Sequence, residues 1–142
     1  MHIENITDTA AVPLICDNLI HVYKKDAILR NLYLHVNAGE LYGLLGHNGC
    51  GKTTLLKIIA GQIKQSKGEA LIFGESAGKL NVGYCPQSGL LFEEATVEQN
   101  IRLAGALRGL KAKSVSLFMI KLFRYFRLKG IEQVKTKYLS DA

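Results

Sequence analysis

Residues 46–53 read Gly46-His47-Asn48-Gly49-Cys50-Gly51-Lys52-Thr53, three glycines, a lysine and a hydroxyl at the spacing G-x-x-x-x-G-K-[ST]. That set suits the holding of a polyphosphate. Phosphate oxygens need several backbone N–H groups converging on them, and a side chain on the loop blocks the approach. Gly46, Gly49 and Gly51 remove the blocking Cβ atoms and admit φ > 0. Lys52 offers a point charge for the β- and γ-phosphates, and Thr53 a hydroxyl for Mg²⁺.

Such a loop works only when a strand delivers it and a helix leaves from it. Leu41-Tyr42-Gly43-Leu44-Leu45 is an apolar run long enough for a buried strand. Lys52 to Ala60 has helical spacing, with Gly61 as its C-terminal stop. The N-terminus of that helix adds partial positive charge to the phosphate site. The spacing predicts further strands at Leu14–Tyr23 and Ile28–Val36, split by Lys24-Lys25-Asp26, with Leu32, Leu34 and Val36 on one face and Asn31, Tyr33 and His35 on the other. Glu69–Phe73 and Leu80–Cys85 read as strands, and Gln62–Gly68 as a polar loop. From Thr96 the period becomes helical. A first helix starts at Thr96-Val97-Glu98-Gln99, with Thr96 or Ala95 near the cap, shows a stripe at Val97, Ile101, Ala104 and Leu107, and stops at Gly109. A second, Ser114–Leu128, carries Val115, Phe118, Met119, Leu122 and Phe126 on one side. Strands thus precede Cys85 and helices follow, joined through 86–94, where Pro86 disfavours helix before it. The expectation is an α/β body over 1–85, a hinge over 86–94 and a helical lobe over 95–142.

Composition limits the alternatives. With 142 residues, 48% of them apolar, the chain is one domain by size and can bury a core. Three cysteines without C-x-x-C spacing give neither a zinc site nor a disulfide framework, so a reducing compartment is the default. The N-terminal stretch carries acids and no Lys or Arg, unlike a signal peptide, and no apolar run reaches the roughly 20 residues of a membrane helix. The net charge of +6 is uneven: between Arg102 and Lys137 ten Lys/Arg face one acid, Glu132. That basic third reads as a solvated helix face, with an anionic partner surface as the alternative. Within it, Ser114–Leu128 reads as a core helix that also contacts a partner, the alternative being an interfacial helix on anionic lipid. Nucleic acid is not an expected partner, because the basic and aromatic residues sit on an apolar helix and not on an exposed sheet.

Several segments in order carry a resemblance: Tyr23 at a strand end; Leu45 to Thr54; Val82-Gly83-Tyr84-Cys85-Pro86-Gln87; Leu91-Phe92; Thr96 to Asn100; and Tyr138-Leu139-Ser140. Together they resemble the nucleotide-binding domain of an ABC transporter. The His47-Asn48 pair and the Cys85-Pro86-Gln87 run are most similar to the A subfamily of lipid exporters. The resemblance covers Leu14 to Ser140 and implies an α/β P-loop NTPase fold with a β-subdomain and a helical lobe. It implies that Tyr23 stacks on adenine. Gly46, His47, Asn48, Gly49, Cys50, Gly51, Lys52, Thr53 and Thr54 then cradle the phosphates. Thr53 and Gln87 meet Mg²⁺, and Gln87 also meets the attacking water, with Lys52 and Gln87 the catalytic pair. It further implies ATP and Mg²⁺ as ligands, transmembrane domains and a second nucleotide-binding domain as partners, and a position at the cytoplasmic face of a membrane.

The departures set a second expectation. The family signature runs Leu-Ser-Gly-Gly, whereas Leu139-Ser140 is followed by Asp141-Ala142. The apolar strand ending in Asp-Glu and the switch histidine that follow in the family are absent from these 142 residues. The resemblance is therefore to the first two-thirds of a domain. A non-catalytic ATP-binding or dimerisation module stands as the alternative to a working ATPase. A GTPase or small-kinase reading lacks support, since no Asn-Lys-x-Asp segment and no arginine-rich lid occur.

Overall fold

The computed structural model describes residues 8–128 and 130–139, so Ser140 and Asp141 of the signature segment lie outside the described residues. The chain divides into two compact units, 1–84 and 85–142.

The first unit is a four-stranded antiparallel sheet carrying one helix. Its strands are β1 (Leu14–Tyr23), β2 (Asp26–Val36), β3 (Lys67–Ile72) and the short β4 (Glu75–Ser76), in the spatial order β2-β1-β3-β4. The β1–β2 hairpin closes on two residues, because Asp26 pairs with Tyr23 and Lys24 takes φ +55°. Asp26 and Ala27, expected in the turn or beyond it, thus join the ladder. The β1–β2 register runs Leu14↔Val36, Leu19↔Leu32 and His21↔Leu29, with irregularities between Cys16 and Leu19 and on each side of His21. Asn18 and Asn31, both at positive φ, join across the strands by an Nδ2–H···Oδ1 bond of 2.6 Å. Asparagine tolerates that conformation better than most residues. Along β2 the alternation read from the sequence holds: Leu32, Leu34 and Val36 are half-buried, Asn31, Tyr33 and His35 exposed.

Helix α1 (Lys52–Ile59) lays Leu55 and Ile58 on the sheet, where they form one core with Cys16, Leu19, Leu29 and Ala70. Gly61 ends it as expected. Its N–H donates to Ile58 O and that of Gln62 to Lys57 O, the paired bonds of a Schellman stop.

Two expected strands are absent. Leu41–Leu45 and Leu80–Cys85 adopt no strand pairing, and Leu41 and Leu45 are 100% and 93% exposed. A buried strand needs neighbours on its edges as well as an apolar sequence. Among the described residues no strand pairs with either run.

The second unit packs α2 (Val97–Leu107) on α3 (Ala112–Tyr125). Thr96 caps α2 with a full capping box: its hydroxyl accepts from Gln99 N–H, and Gln99 Oε1 accepts from Thr96 N–H. The buried positions of α2 are Asn100 and Gly105. Of the expected stripe only Val97 and Ile101 pack inward, while Leu107 is exposed. Asn100 turns the helix. Its Oδ1 accepts from Phe92 N–H, and its Nδ2 donates to Phe92, Ala95 and Thr96 carbonyls. On α3 the core residues are Val115, Met119 and Phe123, whereas Phe118 and Phe126 face outward. The two helices meet so closely that a Cβ on Gly105 would stand 2.5 Å from Val115 Cγ2. Contact of that kind seats a single i, i+4 row, narrower than the stripe the sequence suggests. The helix also ends three residues earlier than its period implies, at a Schellman stop with Arg127 at φ +55°.

Segment 131–139 is stitched to the start of α2. Val97 and Glu98 N–H groups donate to Val134 and Glu132, and Thr136 and Lys137 N–H groups to Ala95 and Glu93. Glu94 accepts from Lys137 and Lys135, and these hydrogen bonds, that from Lys137 foremost, hold its carboxyl below the usual carboxylate range.

Candidate nucleotide-binding site

The glycine loop is seated by its last glycine. Gly51 is buried at φ +100° as the residue preceding α1, and a Cβ there would meet Leu29 Cδ2 at 2.9 Å, Ile28 Cγ2 at 3.1 Å and Ile28 O at 3.2 Å. The loop therefore rests directly on β2. Gly49, at φ +82°, is the opposite case: a Cβ there would meet nothing within 4 Å, so its backbone faces open space. At Gly46 a Cβ would lie 2.6 Å from Cys50 Sγ, and the half-buried cysteine therefore fills the space beneath the loop's first glycine.

Lys52 is folded back over the loop. Its Nζ donates to Gly46 O at 2.7 Å and His47 O at 2.8 Å, with Cys50 Sγ at 3.7 Å. The ammonium thus stands among the carbonyls that bound the loop. His47 Nδ1 lies 2.9 Å from Asn48 O, and Cys50 N–H donates to His47 O. Asn48 and Thr53 are exposed; Thr54 is half-buried. Helix α1 has no side-chain cap, so its first N–H groups are left for an anion. An open glycine, an uncapped helix start and an ammonium in one turn fit a polyphosphate. Among the described residues no group of three or more His, Cys, Asp and Glu could hold a metal ion without help from a ligand. Thr53 fits Mg²⁺ only as one donor beside phosphate oxygens.

Tyr23 lies in the same unit. It ends β1, is 46% exposed, and its cross-strand partner Asp26 precedes Ile28, the seat of Gly51, by ~7 Å of strand at about 3.3 Å per residue. A ring edge-on to Tyr23 belongs to His21, 4.6 Å between centroids and 80° between planes. His21 and the Ile28–Leu29 seat belong to no motif in the sequence. Alternation would mark Leu29 as core, but nothing in the spacing says that the loop lands on it. Gln87 belongs to the second unit, is exposed, and lines a hollow of about 380 Å³ there with Pro86, Gly89, Glu93, Thr136 and Lys137.

A glycine loop seated on a strand and opening a helix over an antiparallel sheet defines a P-loop nucleotide-binding α/β domain. The family model described as "ABC transporter" matches residues 29–141. An "ABC-type organic anion transporter ABCA8A" of Mus musculus is 35% identical over 120 residues, 83% of this chain and 7% of that protein. The "Glucosylceramide transporter ABCA12" of Mus musculus is 35% identical over 127 residues, 84% of this chain and 5% of that protein. A solved "ATP binding subunit of ABC transporter" aligns with a TM-score of 0.71 at 28% identity, covering 90% of this chain and 56% of that one. The chain belongs to the ABC transporter family, with the ATP-binding cassette fold and relatives in its A subfamily. It spans less than a tenth of the length of those curated relatives and just over half of that solved cassette.

Proposed function

We propose that this chain is an ATP- and Mg²⁺-binding segment of an ABC transporter that couples nucleotide binding to transport of a lipid-like substrate. In this reading it sits at the cytoplasmic face of a membrane, held by transmembrane domains and paired with a second nucleotide-binding domain. The names of the relatives support the substrate class: one is a glucosylceramide transporter, another a cholesterol transporter. No helix among the described residues is long and apolar enough to cross a membrane.

The observation that carries nucleotide binding is the loop itself: open at Gly49, seated at Gly51, with Lys52 already inside it. Lys52 exchanges the Gly46 and His47 carbonyls for phosphate oxygens, trading neutral acceptors for charged ones. Thr53 gives its hydroxyl to the metal, and Tyr23 offers its exposed ring to the base. Gln87 links the nucleotide to the second unit. Bound Mg²⁺ supplies charge neutralisation on the phosphate oxygens.

A non-catalytic module is the second reading, favoured by one sequence observation: Asp141-Ala142 follows Leu139-Ser140 where the family signature runs Leu-Ser-Gly-Gly. Phosphoryl transfer needs an acidic metal ligand and a residue to place the water. Calorimetry and phosphate release on the 142-residue chain test the two in turn. Lys52→Ala removes a charge-assisted contact of about 1.5–3 kcal/mol, so ATP affinity falls at least tenfold. Equal affinity refutes the assignment of Lys52. Phosphate release by the wild type above the Lys52→Ala background decides for turnover.

A further inference from the structure

We infer that His21 is a positioning residue for nucleotide recognition, setting the plane of the Tyr23 ring. The inference rests on the reading of Tyr23 as the base platform.

His21 is 7% exposed, and neither Nδ1 nor Nε2 has a hydrogen-bond partner among the described residues. The imidazole is therefore held by shape and acts on its surroundings by packing. Its ring meets that of Tyr23 in the edge-to-face arrangement that ring pairs prefer. The backbone on both sides of it is fixed by one residue. Ser66 N–H donates to Ile20 O at 2.9 Å, and Ser66 Oγ accepts from Val22 N–H at 3.1 Å. The ring thus projects from an anchored point, whereas Tyr23, at the hairpin end, is nearly half exposed. Without a wall on one side, an exposed tyrosine samples several χ1 wells. His21 supplies that wall. Its cross-strand partner is Leu29, whose Cδ2 lies beneath Gly51. One strand register therefore fixes both the platform for the base and the seat of the phosphate loop. The spacing between base and phosphate sites is set by β1 and β2, not by the loop.

The test compares two ligands, ATP–Mg²⁺ and inorganic tripolyphosphate–Mg²⁺, by calorimetry on the full 142-residue chain. His21→Leu keeps an apolar side chain in a site that offers no hydrogen bonds, but removes the ring. It lowers affinity for ATP about two- to tenfold, the range of an aromatic pair, and leaves tripolyphosphate unchanged. His21→Phe restores the ring and the ATP affinity. Tyr23→Ala shows the same selective loss, and adding His21→Leu to it costs nothing more. Loss of both ligands together in His21→Leu, or of neither, overturns the inference, as does a His21→Phe chain as impaired as His21→Leu. A Tyr23→Ala chain with an unchanged ATP-to-tripolyphosphate ratio overturns the platform reading itself.

Discussion

Replacing Gly51 by alanine adds one methyl group at the point where the phosphate loop meets β2. Two costs arise from the structure. The residue sits at φ +100°, outside the region L-residues favour, which costs about 1–3 kcal/mol. The new Cβ also stands 2.9 Å from Leu29 Cδ2, 3.1 Å from Ile28 Cγ2 and 3.2 Å from Ile28 O. The two methyl groups can yield a little, but the carbonyl belongs to a paired strand. Overpacking of this kind costs about 1–3 kcal/mol. The sum, about 2–6 kcal/mol, is a large part of the roughly 5–15 kcal/mol that holds a domain folded. With a urea slope of about 2 kcal/mol/M, the unfolding midpoint of Gly51→Ala falls by about 1–3 M. Gly49→Ala is the internal control. Its φ of +82° carries a strain cost of the same range, but its Cβ meets nothing within 4 Å. Urea titrations of the two variants therefore differ by the packing cost alone. Calorimetry then separates the roles. Gly49→Ala, which overpacks nothing, weakens ATP binding more than its stability loss suggests, because in the proposed binding mode its methyl projects toward the phosphates. Equal midpoints for the two variants would refute the argument that β2 seats the loop.

Two further outcomes follow from buried groups. Asn100→Leu leaves Phe92 N–H without its partner, while the three carbonyls keep other donors, destabilising the second unit by about 1–3 kcal/mol, seen as faster hydrogen exchange at residues 92–98. Burial pushes the Cys16 thiol from 9.0 up to about 12. The folded chain keeps a proton that the unfolded chain has lost, so this stability is complete below pH 9 and disappears as pH rises through 12. Between pH 8 and 10.5 the loss is about 2 kcal/mol, and urea midpoints of Cys16→Val lack that part of the decline.

The phosphate loop was legible because its chemistry is local. Gly46 to Thr53 is one continuous stretch, and each residue's task follows from its own side chain or lack of one. The β1–β2 hairpin, the Gly61 stop and the Thr96–Gln99 capping box were legible for the same reason, since period, turn and cap are satisfied within a few residues. The apolar run Leu41–Leu45 shows the limit. It has the composition of a buried strand, but pairing is a property of its neighbours, and among the described residues it has none. The helical lobe shows another. Sequence marked Phe118, Leu107 and Phe126 as inward, yet the Gly105–Val115 approach and the bonds of Asn100 fixed the rotation of both helices, and those residues face outward. Nor could spacing reveal that Lys52 turns back to Gly46 and His47, or that His21 stands against Tyr23. Sequence determined which groups could bind a nucleotide, because side-chain chemistry travels with the residue. Only the tertiary structure decided which surface seats them, because register and close approach depend on partners far along the chain.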